Sequence, residues 1–467
     1  MVGRRGDAPL VPPYKFRSPN KAMALIEPNP RWGVVPTTAI LPPVPRLNRP
    51  PAELSRQIFL PPEPLDMTIS SLPLSYCTNV HPGRTVAEVE DGLDRFTLPI
   101  KANYGGELAA GLWLAAPVVR ELEQSPDGVQ RFADGLQSRG LSCYTLNAFP
   151  YGDFHSARVK ENVYLPDWTQ PSRLDYTLAC ARVLATLLPE GVEGSISTVP
   201  LGFKPFEHPV DFADRCADQL IELARGLSRL HHETGRLIRL AIEPEPFCVI
   251  ETTAETLSFF ARLRTRAADV CALEVVREHL GVCYDVCHQA VEFEDVPASI
   301  RSLVAADIRI NKVHITCAIE VAEPGRNEEA RRILARYVEP RYLHQTFARL
   351  DDDAKRGPGS KPALNANRTV TQVDLDEQLT TSPSAEFRDA PMWRVHFHVP
   401  VDAEHLGPLG TTRGELKQAL ATLPELRYAP HLEVETYTWE VLPGGGSPNI
   451  VEGFTRELLA TKKLLWG

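Results

Sequence analysis

The sequence lacks the features that define several large classes of protein. Its formal net charge is -10 over 467 residues, so it offers no basic surface for a nucleic acid or an anionic membrane. No apolar run approaches the roughly 20 residues that cross a bilayer, and the first residues lack the apolar segment of a secretory signal. We therefore expect a cytoplasmic protein with a small-molecule partner, without nucleic acid and without direct membrane insertion.

Paired cysteine motifs are also missing. The nine cysteines are odd in number and scattered from Cys77 to Cys317, and no CxxC pair occurs among them. Such spacing does not fit a disulfide framework or a cysteine-based zinc ribbon. Free Cys is among the most often buried residue types, so we predict reduced and mostly buried thiols.

The first sixty-odd residues differ in composition from the rest of the chain. Fifteen of the 42 prolines lie between Pro9 and Pro64, and so proline-rich a segment cannot form a packed core. We interpret residues 1–66 as a disordered extension, and residues 67–467 as the folded unit. Met67 stands just before the first strand-like segment, so it is also a candidate for the natural start of translation.

Beyond Met67, short apolar runs alternate with longer amphipathic stretches such as Phe212–His231. This alternation is typical of β/α units around a parallel sheet. Eight alternations, with no glycine-rich phosphate motif after the first strand, favour a closed (β/α)8 TIM barrel over a doubly wound sheet. The predicted strands are Leu74–Val80, Ala110–Ala115, Leu141–Asn147, Ser195–Pro200, Leu237–Glu243, Gly281–Val286, Ile310–Thr316 and His431–Tyr437, with Trp393–Val399 as an extra.

The segment Asp351–Pro391 interrupts this rhythm, since neither a helix nor a strand pattern explains its Asp-Asp-Asp, Gly-Pro-Gly and Ser/Thr/Asn-rich stretches. We interpret it as a surface insertion or lid. It separates two candidates for the seventh barrel strand. Either Ile310–Thr316 or Trp393–Val399 is that strand, and the other belongs to the insertion.

Ionisable side chains stand at the ends of the last four predicted strands. In a barrel of this kind the carboxyl ends of the strands form the mouth, where active sites lie. Isolated charges are costly to bury unless they are paired or bind a metal, and mixed carboxylate and imidazole ligands suit Mn²⁺, Mg²⁺ or Zn²⁺. The residues in question are Glu243 and Glu245, Asp285 and His288, His314 or His396 and His398, and Glu433 and Glu435.

The order of Glu, Asp-x-x-His, His and Glu on strands five to eight resembles the xylose-isomerase-like superfamily. More narrowly, five motifs resemble the EboE-type metabolite traffic proteins and together extend through nearly all of the chain after Met67. They are Ser75–Gly83 (SYCTNVHPG), Leu146–Gly152 (LNAFPYG), Glu243–Pro246 (EPEP), His396–Pro400 (HFHVP) and His431–Trp439 (HLEVETYTW). The proline-rich extension and the insertion fall outside this resemblance.

The resemblance implies a divalent metal ion held by Glu243, Asp285, either His314 or His398, and Glu435. His288 would be a further ligand or a substrate contact. Glu243 and Glu435 would also exchange a proton at a carbon next to a carbonyl, although Glu245 and Glu433 leave the choice within each pair open. Other expected contacts to a sugar-like substrate are Asn79, His81, Asn147, Tyr151, Glu245, His396 and Glu433.

Two functions from different classes follow. The first is a metal-dependent sugar isomerase or epimerase-like activity on a small polar metabolite of a secondary-metabolite pathway. The second is a metal-free carrier that binds and delivers a metabolite without converting it, with other proteins of the same biosynthetic cluster as candidate partners. Strand ends rich in carboxylates favour the first, and the metabolite-traffic resemblance favours the second.

Overall fold

The computed structural model describes residues 70–350, 368–443 and 449–467. The proposed extension at residues 1–66 and the candidate start at Met67 lie outside this part of the chain. In chain order the strands are β1 (Ser75–Cys77), β2 (Ala109–Trp113), β3 (Thr145–Asn147), β4 (Gly194–Thr198), β5 (Ile238–Ile242), β6 (Leu280–Asp285), β7 (Ile310–Ile315), β8 (Ile319–Ala322), β9 (Thr346–Arg349), β10 (Thr369–Gln372), β11 (Met392–Val395), β12 (His405–Leu406), β13 (Leu409–Thr411) and β14 (His431–Val434).

Eight of these strands form a closed parallel barrel in the order β1-β14-β7-β6-β5-β4-β3-β2. The barrel closes because β1 pairs with β2 on one side and with β14 on the other. The predicted TIM barrel is therefore confirmed. Every residue of its strands is buried except Arg239 of β5, which is half-buried, since helices cover the outer face of a parallel barrel.

The helices follow the predicted alternation, and the amphipathic stretch that begins at Phe212 is one continuous helix. It ends where Gly235 adopts the left-handed conformation at φ 70°, which glycine accepts without a steric cost. The helices are α1 (Val86–Gly92), α2 (Leu98–Tyr104), α3 (Ala116–Gln124), α4 (Gly128–Ser138), α5 (Pro171–Leu187), α6 (Phe212–Thr234), α7 (Thr253–Asp269), α8 (Leu273–His279), α9 (Val286–Val291), α10 (Val296–Ala305), α11 (Glu328–Leu334), α12 (Glu377–Thr381), α13 (Ala385–Asp389), α14 (Arg413–Thr422) and α15 (Ile450–Trp466).

A second sheet lies between the last two barrel strands in the sequence. Its order is β10-β9-β11-β8-β13-β12, and its pairings are antiparallel. The structure thus resolves the choice of a seventh strand. Ile310–Ile315 is the barrel strand, whereas Met392–Val395 belongs to the second sheet.

The segment at 351–391 is partly described. Residues 351–367 lie outside the described part, but residues 368–391 contain β10, α12 and α13, where the sequence showed no regular pattern. Strand β10 is four residues long and pairs only with β9 in this sheet. So short an element carries too little periodicity to be recognised, and tertiary pairing defines it.

All nine cysteines lie within the described residues and are free thiols. Eight of them are buried and Cys271 is exposed, which agrees with the prediction of mostly buried thiols. Cys287 packs with Val291, Phe293, Ala318 and Phe347 in a hydrophobic cluster between the barrel and the second sheet. Among the described helices, none combines the length and the apolar character needed to cross a bilayer.

Candidate functional site

Four strands deliver an acidic or imidazole side chain to the mouth of the barrel. Glu243 and Glu435 directly follow β5 and β14, Asp285 is the last residue of β6, and His314 lies on β7. All four side chains are buried, at 4% exposure or less. The sequence motif is therefore assembled in space, although these residues lie up to 192 positions apart along the chain.

The Nδ1 atom of His314 lies at the centre of this group. It is 3.0 Å from Oε1 of Glu243, 3.1 Å from Oε2 of Glu435 and 3.5 Å from Oδ2 of Asp285. A divalent ion with bonds of about 2.1 Å holds neighbouring ligand atoms roughly 3.0 to 3.4 Å apart. The three oxygen atoms thus lie about as far from Nδ1 of His314 as the ligands of one metal ion lie from each other, and we call these four residues the carboxylate set.

Two oxygen atoms of the carboxylate set are left without a hydrogen bond. Asp285 caps α9, and its Oδ1 accepts from the backbone N–H of His288 (3.1 Å) and the hydroxyl of Thr316 (2.6 Å). Its Oδ2 is buried and accepts no hydrogen bond from the described residues, and the same is true of Oε2 of Glu243. Buried charged oxygens without donors are rare in proteins, so this observation fits a bound cation.

Glu435 is oriented by two amides. Asn79, just after β1, and Asn147, at the end of β3, donate from Nδ2 to Oε1 of Glu435 at 2.8 and 2.9 Å. These bonds leave Oε2 directed at His314. Both asparagines are therefore at the mouth, as predicted, but the structure uses their amide groups to position a carboxylate.

Three more histidines complete the polar part of the mouth. His288 lies in the first turn of α9, while His396 and His398 follow β11 of the second sheet. The backbone of Val399 donates to the carbonyl of Cys317 (3.0 Å), just beyond β7. Both candidates for strand seven therefore bring histidines to the mouth, although only Ile310–Ile315 is a barrel strand.

Glu245 lies beside these histidines and belongs to a separate hydrogen-bonded group. Its Oε1 accepts from the hydroxyl of Tyr164 at 2.7 Å, and Tyr164 accepts from Nε2 of Gln345 at 2.9 Å. Burial raises the pKa of Glu245 well above its usual value. Of the two glutamates after β5, Glu243 therefore joins the carboxylate set and Glu245 does not.

A cavity of about 60 Å³ opens above the carboxylate set. This volume holds a few water molecules, whereas pockets for drug-sized ligands are several times larger. Its polar lining is Asn79, Asn147, Lys160, Glu243, Glu245, His288, His396, His398 and Glu435, and its aromatic lining is Phe149, Phe154, Tyr164, Tyr342 and Tyr437. Phe154 contacts both Tyr342 and Tyr437, with ring centroids 4.9 and 5.4 Å apart, so these aromatic side chains cover the mouth.

A second polar group lies deeper in the barrel. Nζ of Lys312 on β7 is 2.7 Å from Oε1 of Glu433 on β14, and neither side chain is exposed. Ser75 donates to Oε2 of Glu433 at 3.4 Å, and Gly111 on β2 makes room for this carboxylate, since a Cβ at that position would lie 1.5 Å from Oε2. We call Ser75, Gly111, Lys312 and Glu433 the inner layer. Because Glu433 is paired with Lys312 in this layer, Glu435 is the glutamate at this end of the barrel that remains for the mouth.

Both groups share His314, whose Nε2 lies 3.2 Å from Oε1 of Glu433. Carboxylates only accept hydrogen bonds, so His314 donates from both ring nitrogens. Burial alone would lower its pKa, but the surrounding negative groups, Glu243 and Glu435 among them, raise it well above the usual value. The two glutamates differ as well, because burial raises the pKa of Glu243 whereas His314 overcomes burial and lowers that of Glu435.

Comparisons with known proteins give matches to solved structures only. No protein-family model matches the chain, and no curated protein matches it. Several matching structures are xylose-isomerase-like barrels. An L-ribulose 3-epimerase is 12% identical with a TM-score of 0.43, covering 84% of this chain and 93% of its own. The IolI protein with a bound zinc atom is 11% identical with a TM-score of 0.43, covering 84% and 98%.

A xylose isomerase-like TIM-barrel protein from Mycobacterium smegmatis, solved with magnesium, is 10% identical with a TM-score of 0.41 and covers 85% of this chain and 99% of its own. Matches at this level say nothing about activity. The barrel itself is assigned from the strand pairing.

Two residues expected at the mouth lie elsewhere. His81 hydrogen-bonds through Nε2 to the hydroxyl of Tyr76 (3.0 Å) and stacks on Phe96 at 4.4 Å. Tyr151 packs edge-on against Tyr176. Neither His81 nor Tyr151 lines the cavity, although Asn79 and Phe149, two residues earlier in the same segments, do.

Lys312, Tyr164 and Gln345 are polar residues at or below the mouth that sequence reasoning missed. Lys312 had a detectable signal, since it precedes His314 by two positions and therefore faces the same side of β7. Tyr164 and Gln345 lie outside the barrel strands. Their sequence positions give no indication that they meet beside Glu245.

Proposed function

We propose that this chain is a metal-dependent sugar isomerase or epimerase-like barrel of the EboE metabolite-traffic type, acting on a small polyhydroxylated metabolite. The observation that carries the proposal is the carboxylate set, whose three oxygens lie 3.0 to 3.5 Å from Nδ1 of His314 and whose Glu243 and Asp285 each keep one buried oxygen that accepts no hydrogen bond from the described residues. Glu243, Asp285, Glu435 and His314 would hold the ion, with Mn²⁺, Mg²⁺ or Zn²⁺ as candidates, and binding would displace the proton from Nδ1 of His314. A bound divalent ion would supply electrophilic polarisation of substrate oxygens.

The chain's own residues fit a proton exchange next to a carbonyl. Glu243 and Glu435 directly follow β5 and β14, which are separated by β6 and β7 in the barrel, so they would approach a substrate from different sides. Their pKa values are shifted in opposite directions, and a pair of carboxylates with unequal proton affinities is suited to act as acid and base. Asn79 and Asn147 would keep Glu435 in the orientation for this exchange.

The cavity implies that the aromatic cover moves during binding. At about 60 Å³ it is too small for a sugar, which occupies a pocket of some hundreds of Å³. Phe154, Tyr342 and Tyr437 are the side chains that would have to separate. The rings would then shield the exchanging proton from bulk water when they close again.

The test is exchange of a carbon-bound proton with deuterated water, followed by NMR over a panel of ketoses with metal-saturated protein. Glu435→Gln should keep an oxygen ligand for the metal but reduce exchange by about 100-fold or more. The exposed Glu425→Gln, the same chemical change on the surface, should exchange at the wild-type rate. Unchanged exchange in Glu435→Gln would reassign the acid-base role to another group.

A metal-free carrier is the second candidate, and the internal pairing of His314 favours it. This histidine offsets part of the negative charge of Glu243, Glu433 and Glu435 without a metal ion, so the hydrogen bonds of the mouth are partly satisfied by protein groups alone. Metal analysis separates the two functions. Purified protein that contains no divalent ion and takes up none at micromolar concentration would support the carrier and exclude the metalloenzyme.

A further inference from the structure

The three histidines outside the carboxylate set are all held by their Nδ1 atoms. Nδ1 of His288 lies 2.9 Å from the carbonyl oxygen of Pro244, and Nδ1 of His398 lies 2.8 Å from that of Glu435. Nδ1 of His396 lies 2.7 Å from Oε1 of Gln345. A carbonyl oxygen only accepts, so each Nδ1 carries the hydrogen.

The orientation of the Gln345 amide is fixed independently. Its Nε2 donates to the hydroxyl of Tyr164 at 2.9 Å and to the carbonyl of Pro246 at 3.3 Å. The carbonyl of Pro246 requires a donor, so the amide oxygen must face His396. In their neutral forms all three imidazoles therefore present a bare Nε2 lone pair.

These lone pairs converge on one place in the mouth. Nε2 of His288 is 3.1 Å from Nε2 of His396, a separation at which two lone pairs repel unless a cation lies between them. Nε2 of His398 is buried with no hydrogen-bond partner among the described residues. Oδ2 of Asp285, which also accepts no hydrogen bond there, lies 3.9 Å from Nε2 of both His288 and His398.

We propose that His288, His396 and His398 bind a second metal ion through their Nε2 atoms, with Oδ2 of Asp285 as a ligand shared with the carboxylate set. A tetrahedral Zn²⁺ ion with bonds of about 2.0 to 2.1 Å places its ligand atoms roughly 3.4 Å apart. The Nε2 atoms of His288 and His396 are slightly closer than this, and Oδ2 of Asp285 is slightly further from His288 and His398. Each ring also donates its other N–H to a carbonyl oxygen, which is how protein histidines are oriented towards a metal.

The two sets of ligands differ in chemistry. The carboxylate set offers three carboxylates and one imidazole, which suits Mg²⁺ or Mn²⁺, while the three histidines suit Zn²⁺ and similar transition metals. The mouth is thus a site for two unlike ions bridged by Asp285. The alternative is a proton shared between His288 and His396, which would explain their contact without an ion.

The test is metal stoichiometry of the full chain, measured after equilibration with Zn²⁺ and Mn²⁺ together. Wild type should retain one ion of each. His396→Gln keeps a donor for its neighbouring amide oxygen but removes a ligand, so zinc affinity should fall at least about 10-fold while manganese stays bound. His208→Gln is the matched control, because His208 donates to the carbonyl of Phe203 (2.8 Å) away from the mouth, and it should behave as wild type.

X-ray absorption at the zinc edge of the wild type provides a measurement that does not depend on a variant's folding. Three imidazole rings around zinc are expected. A single bound ion, zinc surrounded by one imidazole or none, or unchanged zinc affinity in a folded His396→Gln would overturn the proposal. Glu243→Gln tests the carboxylate set separately. It should weaken the binding of manganese and leave zinc bound. If it loses neither ion, the result counts against the carboxylate set and not against the histidine site.

Discussion

The inner layer and the mouth are two buried polar groups in one barrel, joined by His314, yet they are satisfied in different ways. In the inner layer the charge of Lys312 meets that of Glu433 at 2.7 Å, and burial would lower the pKa of Lys312 if Glu433 did not raise it. At the mouth, Glu243, Asp285 and His398 each keep a buried atom that has no hydrogen bond from the described residues. We infer that the satisfied inner layer stabilises the fold, whereas the unsatisfied atoms clustered at the mouth are arranged for a ligand.

This difference separates stability from function among residues of the same type. Glu433 and Glu435 are two positions apart, face the same side of β14, and are both buried. One is paired with a lysine and the other is held by two asparagines with its second oxygen towards His314. We therefore expect substitutions in the inner layer to lower the stability of the fold, and substitutions at the mouth to lower the affinity for metal ions.

The largest effect should follow from breaking the inner pair. Lys312→Met leaves the carboxylate of Glu433 buried without its cation, and such a change costs about 3 to 5 kcal/mol in the free energy of unfolding. Urea denaturation measures it. The double variant Lys312→Met with Glu433→Leu should recover most of the loss. If the single variant is as stable as wild type, the pairing of Lys312 with Glu433 does not stabilise the fold.

At the mouth, Glu243→Gln should lower metal affinity while leaving the stability of the fold nearly unchanged. It removes one of three neighbouring carboxylates, so the metal-free protein should keep its stability to within about 1 kcal/mol. Affinity for Mn²⁺ should fall by about 100-fold or more, since changes even to groups behind a metal ligand cost 10- to 100-fold. Calorimetric titration measures the affinity. A large loss of metal-free stability would show that this carboxylate serves the fold.

The stability of the protein should depend on pH through His431, at the inner end of the barrel. Burial lowers the pKa of His431, which donates to or accepts from Ser195 at 2.8 Å, from 6.5 to about 3. Folding therefore keeps this imidazole neutral, and its contribution is complete above about pH 6.5 and declines as the pH falls towards 3. At pH 5 the loss amounts to about 2 kcal/mol.

Unfolding by urea at pH 7.5 and pH 5 tests this expectation. The decrease in stability between the two pH values should be smaller in His431→Gln by that amount. His232→Gln, on an exposed position of α6, should keep the wild-type decrease. Equal pH dependence in wild type and His431→Gln would show that other groups dominate acid unfolding.

The sequence predicted the barrel, and it predicted Glu243, Asp285 and Glu435 at the mouth with His314 and His398 as alternatives, because strands and the charges at their ends leave strong local signals. Each strand is an apolar run, and a charge at its end stands out against that background, as Glu243, Asp285 and Glu435 do. The distinction between Glu433 and Glu435 could not be predicted, because it depends on Lys312 across a strand pair and on the space that Gly111 leaves. Most of the second sheet was missed because its strands are defined by pairing with one another, and of its six strands β11 alone overlaps a predicted strand, Trp393–Val399.

The smallest effect should come from the amide that positions Glu435. Asn79→Ala removes the donor at 2.8 Å from Oε1 of Glu435 while Asn147 still holds the same oxygen, so Mn²⁺ affinity should fall only about 10-fold. Asn327→Ala provides the contrast. It removes the cap of α11 and should cost about 1 kcal/mol of stability with no change in metal affinity. An unchanged affinity in Asn79→Ala would mean that Glu435 is oriented by Asn147 and His314 alone, and the mouth would then need less support than its hydrogen bonds indicate.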